Sequence, residues 1–357
     1  MKCIVRQEEF HHQKQKGVTL VELMVSLAIG LVIALAVTMA YVAVRGNATT
    51  TDAFSRVNED GKLALDLIAR EIQMSGFYPS AMTDPVTPNI RGEYINIKSP
   101  GTAAYKQGIY GCSGAKFLPT TGLCDAPATT APGKDRDSIV LNYFSAVSVA
   151  DAGTQNVSVS RDCINGRLGE YDGGAYKGDP INQTRVDATP KQPLFVSNRF
   201  AINATSYSQA NAGSAGSDLV KTINTGSLAC NGNGASTESI IYQPIFEGVA
   251  QMVIRYAVSD GATDSPQRFY TATEVNGLAV TADGKTGWQR VSAVRVCLLV
   301  QSLTGGRNLK ADELITGKEK KYTDCHNTLV TQPVNDRNIY KTFTRVVAAR
   351  NNLTGVQ

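Results

Sequence analysis

The sequence predicts an α+β protein in which one long N-terminal helix precedes a β-rich domain. Three observations support this fold class. The stretch from Leu23 to Val44 is apolar and uncharged, an amphipathic helical pattern continues to about Ser75, and the later chain alternates strand-like segments with turns. With 42% hydrophobic and 18% charged residues, the chain is too apolar to be a disordered protein.

The uncharged stretch predicts a membrane-spanning helix over residues 23–44. Such a helix is about 33 Å long, close to the roughly 30 Å of a hydrocarbon core. Arg45 ends the stretch, and basic residues dominate residues 1–16. By the positive-inside rule the N-terminus stays in the cytoplasm and the C-terminal bulk lies outside. One alternative is a secretory signal cleaved near Ala34–Ala36; another is a plain signal anchor in which Glu22 is incidental.

The second half of the predicted helix has one apolar face. Residues at spacings of three or four form it: Phe54, Val57, Gly61, Leu65, Ile68 and Ile72. Charged residues lie off that stripe: Asp60, Asp66, Arg70 and Glu71. Gly76 and Pro79 are typical of a helix end. We therefore expect one helix from about Thr19 to Ser75 that packs on a sheet; the alternative is two helices broken within residues 46–51.

The rest of the chain predicts a mostly antiparallel sheet. Residues 77–137 have the composition of loops with short strands, and the low-complexity segment Thr205–Ser217 is predicted to be a mobile loop. Strand patterns occupy the following segments: Ser138–Val149, Ser239–Phe246, Gln251–Val258, Arg290–Gln301 and Thr342–Ala349.

A carboxylate at the membrane edge needs a partner, and the residues before the apolar run suggest one. Glu22 stands at the start of that run, and Lys16 and Gly17 precede Val18. Cleavage after Gly17 would create an α-amine on Val18. That cation could pair with a Glu22 carboxylate in the same chain or in a neighbour, where water is scarce.

The segment Gly17–Leu31, GVTLVELMVSLAIGL, resembles the class III signal of type IV prepilins. The resemblance implies that a prepilin peptidase cuts between Gly17 and Val18 and methylates the nitrogen of Val18. It also implies that Glu22 is needed for docking into a filament. The chain departs from the usual pattern in two ways. Val18 stands where phenylalanine or methionine is usual, and the helix contains Gly30 rather than a central proline.

Further stretches resemble minor pilins of the PilW type: Asn58–Tyr78, Ile245–Tyr256, Trp288–Ser302 and Thr342–Arg350. The resemblance implies a type IV pilin-like fold and four regions. These are a leader at residues 1–17, a transmembrane and polymerisation helix at 18–45, its amphipathic continuation at 46–76, and a periplasmic or extracellular domain at 77–357.

This resemblance implies a non-enzymatic subunit that primes or caps a type IV pilus, in a tip complex serving motility, adhesion and, in some pili, DNA uptake. The implied partners are the prepilin peptidase, other minor pilins, the major pilin, the inner-membrane assembly platform and a tip adhesin. The subunit would lie in the inner membrane before assembly and in an extracellular pilus afterwards. Two alternatives remain open: a type II secretion pseudopilin, and a membrane-anchored adhesin or binding module.

The cysteines indicate an oxidising compartment. Of 7 cysteines, Cys3 lies in the predicted leader, and an even number follows the anchor: Cys112, Cys124, Cys163, Cys230, Cys297 and Cys325. None of these forms a C-x-x-C pair, which argues against zinc ribbons and thioredoxin chemistry. Short loop closure favours Cys112 with Cys124; the other pairings stay open, as does the alternative of buried free thiols.

Little in the sequence points to catalysis or to a cofactor. His326 is the one histidine outside the leader, and no nucleophile or phosphate-loop motif is present. Gly232–Gly234 is typical of a turn. Asp260, Asp264 and Asp283 lie in glycine-containing segments and are weak calcium candidates. The formal net charge of +4 and the small cluster Lys318, Lys320 and Lys321 predict no specific nucleic-acid binding.

Overall fold

The fold was analysed in a computed structural model of the 357-residue chain. It describes residues 17, 19–77, 108–129, 135–148, 160–168, 193–209, 221–234, 241–259, 265–282, 284–303, 320–332 and 338–353.

One uninterrupted helix, α1, spans Leu20–Met74. Thr19 caps its first turn, and Gly76 follows the C-cap Ser75 at a φ of 74°, a conformation that glycine adopts without steric cost. The prediction of a single helix is confirmed, and the alternative break within residues 46–51 is wrong. In that segment the hydroxyls of Thr49 and Thr50 donate to the carbonyl oxygen of Gly46 at 2.9 and 3.0 Å.

Within the described ranges, the remaining elements are two short helices, one 3₁₀ turn and fifteen strands. The helices are α2 (Ala272–Asn276) and α3 (Arg350–Leu353), and the 3₁₀ turn is Trp288–Arg290. The strands are β1 (Ile109–Cys112), β2 (Phe117–Leu118), β3 (Leu123–Cys124), β4 (Ser138–Ser148), β5 (Ser160–Arg161), β6 (Arg167–Leu168), β7 (Pro193–Gln209), β8 (Lys221–Asn231), β9 (Gln243–Glu247), β10 (Val249–Ser259), β11 (Pro266–Tyr270), β12 (Val291–Gln301), β13 (Lys321–Thr323), β14 (Leu329–Thr331) and β15 (Tyr340–Ala348).

Two larger sheets carry the fold. Sheet A has the strand order β1-β4-β7-β8-β9 and sheet B the order β11-β10-β12-β15, and every strand pair in them is antiparallel. The α+β class with a long helix and antiparallel sheets is therefore confirmed. The expected loop at Thr205–Ser217 is wrong in its first part, because β7 continues to Gln209; residues 210–217 lie outside the described residues.

The second half of α1 packs on sheet B and runs along β15. Gly61 lets the two elements approach closely: a Cβ there would lie 2.3 Å from the ring of Phe343. On either side of that contact, Lys341 Nζ donates to Asn58 Oδ1 at 2.6 Å, and Arg345 forms an ion pair with Asp66. These contacts follow the same order along helix and strand, so β15 and α1 run in the same direction.

Helix and sheets share one hydrophobic core. Fully buried side chains come from α1 (Ile68), sheet A (Phe200) and sheet B (Val294). A linker before β4 joins the two sheets, because the buried carboxylate of Asp137 accepts hydrogen bonds from the backbone N–H groups of Gly114 and Ile254, both at 2.8 Å. Burial raises the pKa of Asp137, and those two bonds counteract the rise. We refer to everything beyond α1 as the head.

Candidate functional site: the N-terminal half of α1

Glu22 and Thr19 cap the first turn of α1 by bonding to each other. Oε2 of Glu22 accepts hydrogen bonds from the backbone N–H and from the hydroxyl of Thr19, both at 2.9 Å, while the Thr19 hydroxyl accepts from the Glu22 N–H at 3.3 Å. This reciprocal capping box satisfies backbone donors at the helix start. Among the described residues nothing donates to Oε1 of Glu22, so half of the carboxylate is available to another group.

The predicted cleavage position lies just outside the helix. Gly17 is exposed, and a Cβ placed there would have nothing within 4 Å, so the chain's own packing does not require glycine. Val18 lies outside the described residues. Because the helix begins at Leu20 and Thr19 is its cap, a bond before residue 19 can be cut without disturbing any helical hydrogen bond.

The first half of α1 packs against no other part of the chain that the structure describes. It is the one helix among the described residues that is long and apolar enough to cross a membrane, and every residue from Leu20 to Val44 is exposed. Its serine and threonine hydroxyls are satisfied internally: Ser26 donates to the Leu23 carbonyl at 2.9 Å, and Thr38 to the Ala34 carbonyl. Internal satisfaction of polar groups is what a lipid environment requires.

An aromatic residue and a cation mark the end of this apolar half. The guanidinium of Arg45 lies 4.9 Å from the ring centroid of Tyr41, a cation–π distance. Tyrosine and arginine are both favoured at membrane–water interfaces. The buried face of the helix starts directly afterwards, at Gly46 and Ala53. Phe54, predicted on that face, is instead half exposed, with Lys341 Nζ 5.2 Å from its ring centroid.

Near its other end α1 carries a buried carboxylate that sequence reasoning placed on the wrong side. Glu71 was expected off the apolar stripe, but it is only 5% exposed and accepts a hydrogen bond from Asn198 Nδ2 of β7 at 2.8 Å. Burial raises the pKa of Glu71, against the opposing effects of Asn198 and of Tyr143 on β4. The periodicity of α1 alone could not reveal this, because the partner lies on sheet A.

Three disulfides cross-link the head. Cys112 pairs with Cys124, as short loop closure favours, and the other pairs are Cys163–Cys230 and Cys297–Cys325. Their Cα–Cα distances of 5.7, 6.3 and 5.7 Å lie within the usual range for disulfides. Six paired cysteines fit an oxidising compartment.

Glycines next to the Cys163–Cys230 disulfide make room for the carboxylate of Asp162. Asp162 accepts hydrogen bonds from the N–H groups of Gly166 at 2.6 Å and Gly234 at 2.7 Å. A Cβ at Gly166, Gly232 or Gly234 would lie under 3.0 Å from that carboxylate. The Gly232–Gly234 segment therefore packs against the Asp162 carboxylate. This contact attaches β5 and β6 to the end of β8.

The other candidate groups give no catalytic or metal arrangement in the described residues. His326 lies beside the Cys297–Cys325 disulfide, and its Nε2 is 2.9 Å from Oδ1 of the buried Asp135. This contact attaches the β13–β14 hairpin to the linker before β4. No cluster of three or more metal-ligating side chains occurs in that part of the chain. The weak calcium candidates Asp260, Asp264 and Asp283, and Lys318 of the basic cluster, lie outside the described residues.

Two family models match the chain, one near its N-terminus and one over its C-terminal part. Residues 12–38 match the prokaryotic N-terminal methylation motif, and residues 209–351 match "Type IV Pilus-assembly protein W". The first match covers Gly17, Val18 and Glu22; the second covers sheet B with its neighbouring strands. The start of the chain is therefore similar to the N-terminus of type IV prepilins. Together the two matches support a PilW-like minor pilin.

Among solved structures, "Type IV-like pilin TTHA1219 from Thermus thermophilus" superposes on this protein with a TM-score of 0.32 at 13% sequence identity. The match covers 83% of this chain and 98% of the other. Among curated proteins, none matches the sequence.

Proposed function

We propose that this protein is a minor subunit that primes or caps a type IV pilus after prepilin peptidase cleaves it between Gly17 and Val18. The observation that carries the proposal is the contrast within α1. Its first half is apolar and uncovered from Leu20 to Val44, while its second half is packed on the chain's own head. A helix surface of this kind needs lipid or other helices around it.

The half-satisfied carboxylate of Glu22 supports a specific docking step. Cleavage would place an α-amine on Val18, next to the Thr19 cap. Oε2 of Glu22 is held by Thr19, which leaves Oε1 to accept that amine or the amine of a neighbouring subunit. In the low dielectric of the membrane edge an unpaired carboxylate is costly, and pairing with a cation offsets part of that cost. Assembly would therefore exchange lipid contacts for helix contacts and pair the two charges.

The remaining assignments follow from the same proposal. Residues 1–17 form the cytoplasmic leader, 18–45 the membrane and polymerisation helix, 46–76 its amphipathic continuation, and 77–357 the periplasmic head. The subunit passes from the inner membrane to the pilus, where it contacts other minor pilins and the major pilin. We propose a place in a tip complex, with the assembly platform and a tip adhesin as partners. The PilW match and the three disulfides of the head support this proposal.

Two variants of Glu22 test the docking step. Glu22→Ala removes the cap acceptor and the charge, whereas Glu22→Gln keeps an oxygen that can accept from Thr19 but removes the charge. Both should insert into the membrane and be cleaved, and both should be lost from sheared filaments. Glu59→Ala, which removes an exposed acid in the second half of α1, is the control and should be incorporated normally. Wild-type incorporation of Glu22→Gln would contradict the charge-pairing mechanism.

A further inference from the structure

The head contains four pairs in which an asparagine precedes a glycine. They are Asn165–Gly166, Asn231–Gly232, Asn233–Gly234 and Asn276–Gly277, and all four lie within the described residues. In such a pair the backbone nitrogen of the glycine can attack the side-chain carboxamide of the asparagine, because glycine has no side chain to hinder the approach. The four pairs share this chemistry but differ in their surroundings.

In two of the pairs, at the end of β8, hydrogen bonds hold the carboxamide. Asn231 accepts from the guanidinium of Arg199 at 2.6 Å and donates to the Ile241 carbonyl at 3.0 Å. Oδ1 of Asn233 accepts from the backbone N–H of Ser197 at 3.0 Å. A carboxamide held in this way cannot turn towards the next nitrogen until its hydrogen bond breaks, which costs free energy.

The third pair, at the end of α2, shows that exposure and anchoring are independent. Asn276 is exposed, yet its Oδ1 accepts from the indole N–H of the buried Trp288 at 2.6 Å. Water therefore reaches Asn276, but its carboxamide is still held in place.

The fourth asparagine, Asn165, is held by its backbone and not by its side chain. It lies in the turn between β5 and β6 at a φ of 66°, a conformation that asparagine tolerates better than most residues. Its N–H donates to the Asp162 carbonyl at 3.0 Å, and its carbonyl accepts from Arg161 at 3.1 Å. The side chain is exposed, and no described residue forms a hydrogen bond with its carboxamide.

The attacking nitrogens of two pairs have the same partner. The N–H groups of Gly166 and Gly234 both donate to the Asp162 carboxylate, at 2.6 and 2.7 Å. The nitrogens that follow Asn165 and Asn233 are therefore in similar surroundings. The difference between these two pairs lies in the asparagine side chain, which is anchored in Asn233 and exposed in Asn165.

We propose that Asn165 is a site of spontaneous deamidation in the folded protein, ahead of the other three asparagines. The nitrogen of Gly166 attacks Cγ of Asn165 and the carboxamide C–N bond breaks. A cyclic imide forms, and the carboxamide nitrogen leaves as ammonia with the proton of the Gly166 N–H. Water then opens the ring at one of its two carbonyls, which gives aspartate or isoaspartate. The inference does not rest on the proposed function.

Either product changes the turn between β5 and β6. A carboxylate at position 165 places a negative charge near the buried carboxylate of Asp162. Isoaspartate also lengthens the main chain by a methylene group, between the N–H of residue 165 and that of Gly166, which both bond to Asp162. The bond from Gly166 to Asp162 should weaken, while the Cys163–Cys230 disulfide keeps the turn attached to β8.

Ageing of the folded protein followed by peptide mapping tests the proposal. The full-length chain is kept in neutral buffer with detergent and sampled over several weeks. Each sample is reduced and digested with trypsin, and fragment masses report the conversion of each asparagine. We expect Asn165 to convert roughly tenfold faster than Asn231, Asn233 and Asn276, because each of those must first release a hydrogen bond. A protein isoaspartyl methyltransferase should label the same peptide.

The same chain, reduced and unfolded in denaturant, is the control. Its asparagines have lost their anchors, so all four should convert at comparable rates. Two results would overturn the inference. One is conversion of Asn165 in the folded protein no faster than that of the other three. The other is an unmodified Asn165 in the folded protein after a time in which the unfolded chain converts.

Two variants test the reason for the selectivity. Trp288→Phe removes the indole donor and should raise the conversion of Asn276 towards that of Asn165. Asn165→Gly keeps a residue that tolerates the positive φ but removes the carboxamide, so it should leave conversion at Asn276 unchanged. Pairing of the cysteines confirms that each variant folds. An unchanged rate at Asn276 in folded Trp288→Phe would contradict protection by anchoring.

A third variant tests the consequence for the turn. Asn165→Asp carries the charge of the product, and its Gly166 N–H should exchange with deuterium faster than in Asn165→Gly. Equal exchange at Gly166 in the two variants would contradict the expected weakening of the bond to Asp162.

Discussion

The two halves of α1 belong to one helix but have opposite environments. From Leu20 to Val44 every residue is exposed, whereas from Ala53 onward one face is buried against the head. The same helical geometry thus serves two purposes. The second half is stabilised by contacts that the chain supplies itself, and the first half depends on contacts that must come from outside the subunit. Three matched pairs of residues along the helix test this difference between its halves.

Two isoleucines provide the pair with the largest expected effect. Ile68 is fully buried in the core, whereas Ile33 is 57% exposed in the apolar half. Ile68→Ala should lower the free energy of unfolding of the head by about 2–5 kcal/mol, because it leaves a cavity. Ile33→Ala should change it by less than about 0.5 kcal/mol. Denaturant unfolding of the full chain in detergent measures both. Equal losses from the two substitutions would show that the apolar half also packs on the head.

Two glycines form the second pair. A Cβ at Gly61 would meet the Phe343 ring at 2.3 Å, whereas a Cβ at Gly30 would meet nothing within 4 Å. Gly61→Ala should cost about 1–3 kcal/mol through overpacking, partly offset by roughly 1 kcal/mol of helix propensity. Gly30→Ala should leave unfolding of the head unchanged. Adding Phe343→Leu to Gly61→Ala should recover part of the loss; if it adds a further full loss instead, the contact with Phe343 is not the cause.

Two glutamates form the third pair, with the smallest effect on stability. Burial raises the pKa of Glu71 above its ordinary value, so the folded head favours the protonated form. That stabilisation is present below the ordinary pKa of a glutamate and is lost as pH rises through the raised value. Glutamine cannot ionise, so Glu71→Gln does not lose this stabilisation. The stability of the variant relative to the wild type should therefore increase as pH rises from 4.5 towards neutrality.

Glu22→Gln is the control for that titration, because Glu22 touches only Thr19 among the described residues. The difference in unfolding midpoint between variant and wild type, followed from pH 4 to pH 8 in about half-unit steps, is the measurement. A constant difference for Glu71→Gln would contradict the raised pKa. If the difference for Glu22→Gln follows the same pH course as that for Glu71→Gln, burial of Glu71 is not the cause of the pH dependence.

How much the sequence predicts differs between the two sheets. The sequence predicts most of sheet B, because β10 and β12 are apolar runs in which residues such as Val294, Val296 and Leu298 alternate and are buried. In sheet A it does not predict β7 and β8. Their serines, threonines and asparagines are typical of loops, and their pairing from Arg199–Asn231 to Gln209–Lys221 is a tertiary effect that local propensity does not record.

The candidate site shows the same division. Gly17, Val18 and Glu22 stand close together in the sequence, so their pattern can be recognised without a structure. The buried contact between Glu71 and Asn198, and that between His326 and Asp135, join residues far apart in the chain. Only the packed sheets bring those partners together, and no spacing rule could have paired them.

The mature N-terminus, determined by mass spectrometry on protein recovered from sheared filaments, shows whether the subunit is cleaved before it enters the filament. We expect a chain that begins at Val18 with one methyl group on its nitrogen. A filament-borne chain that still carries Met1 or the residues up to Gly17 would contradict it, because no amine would then exist to pair with Glu22.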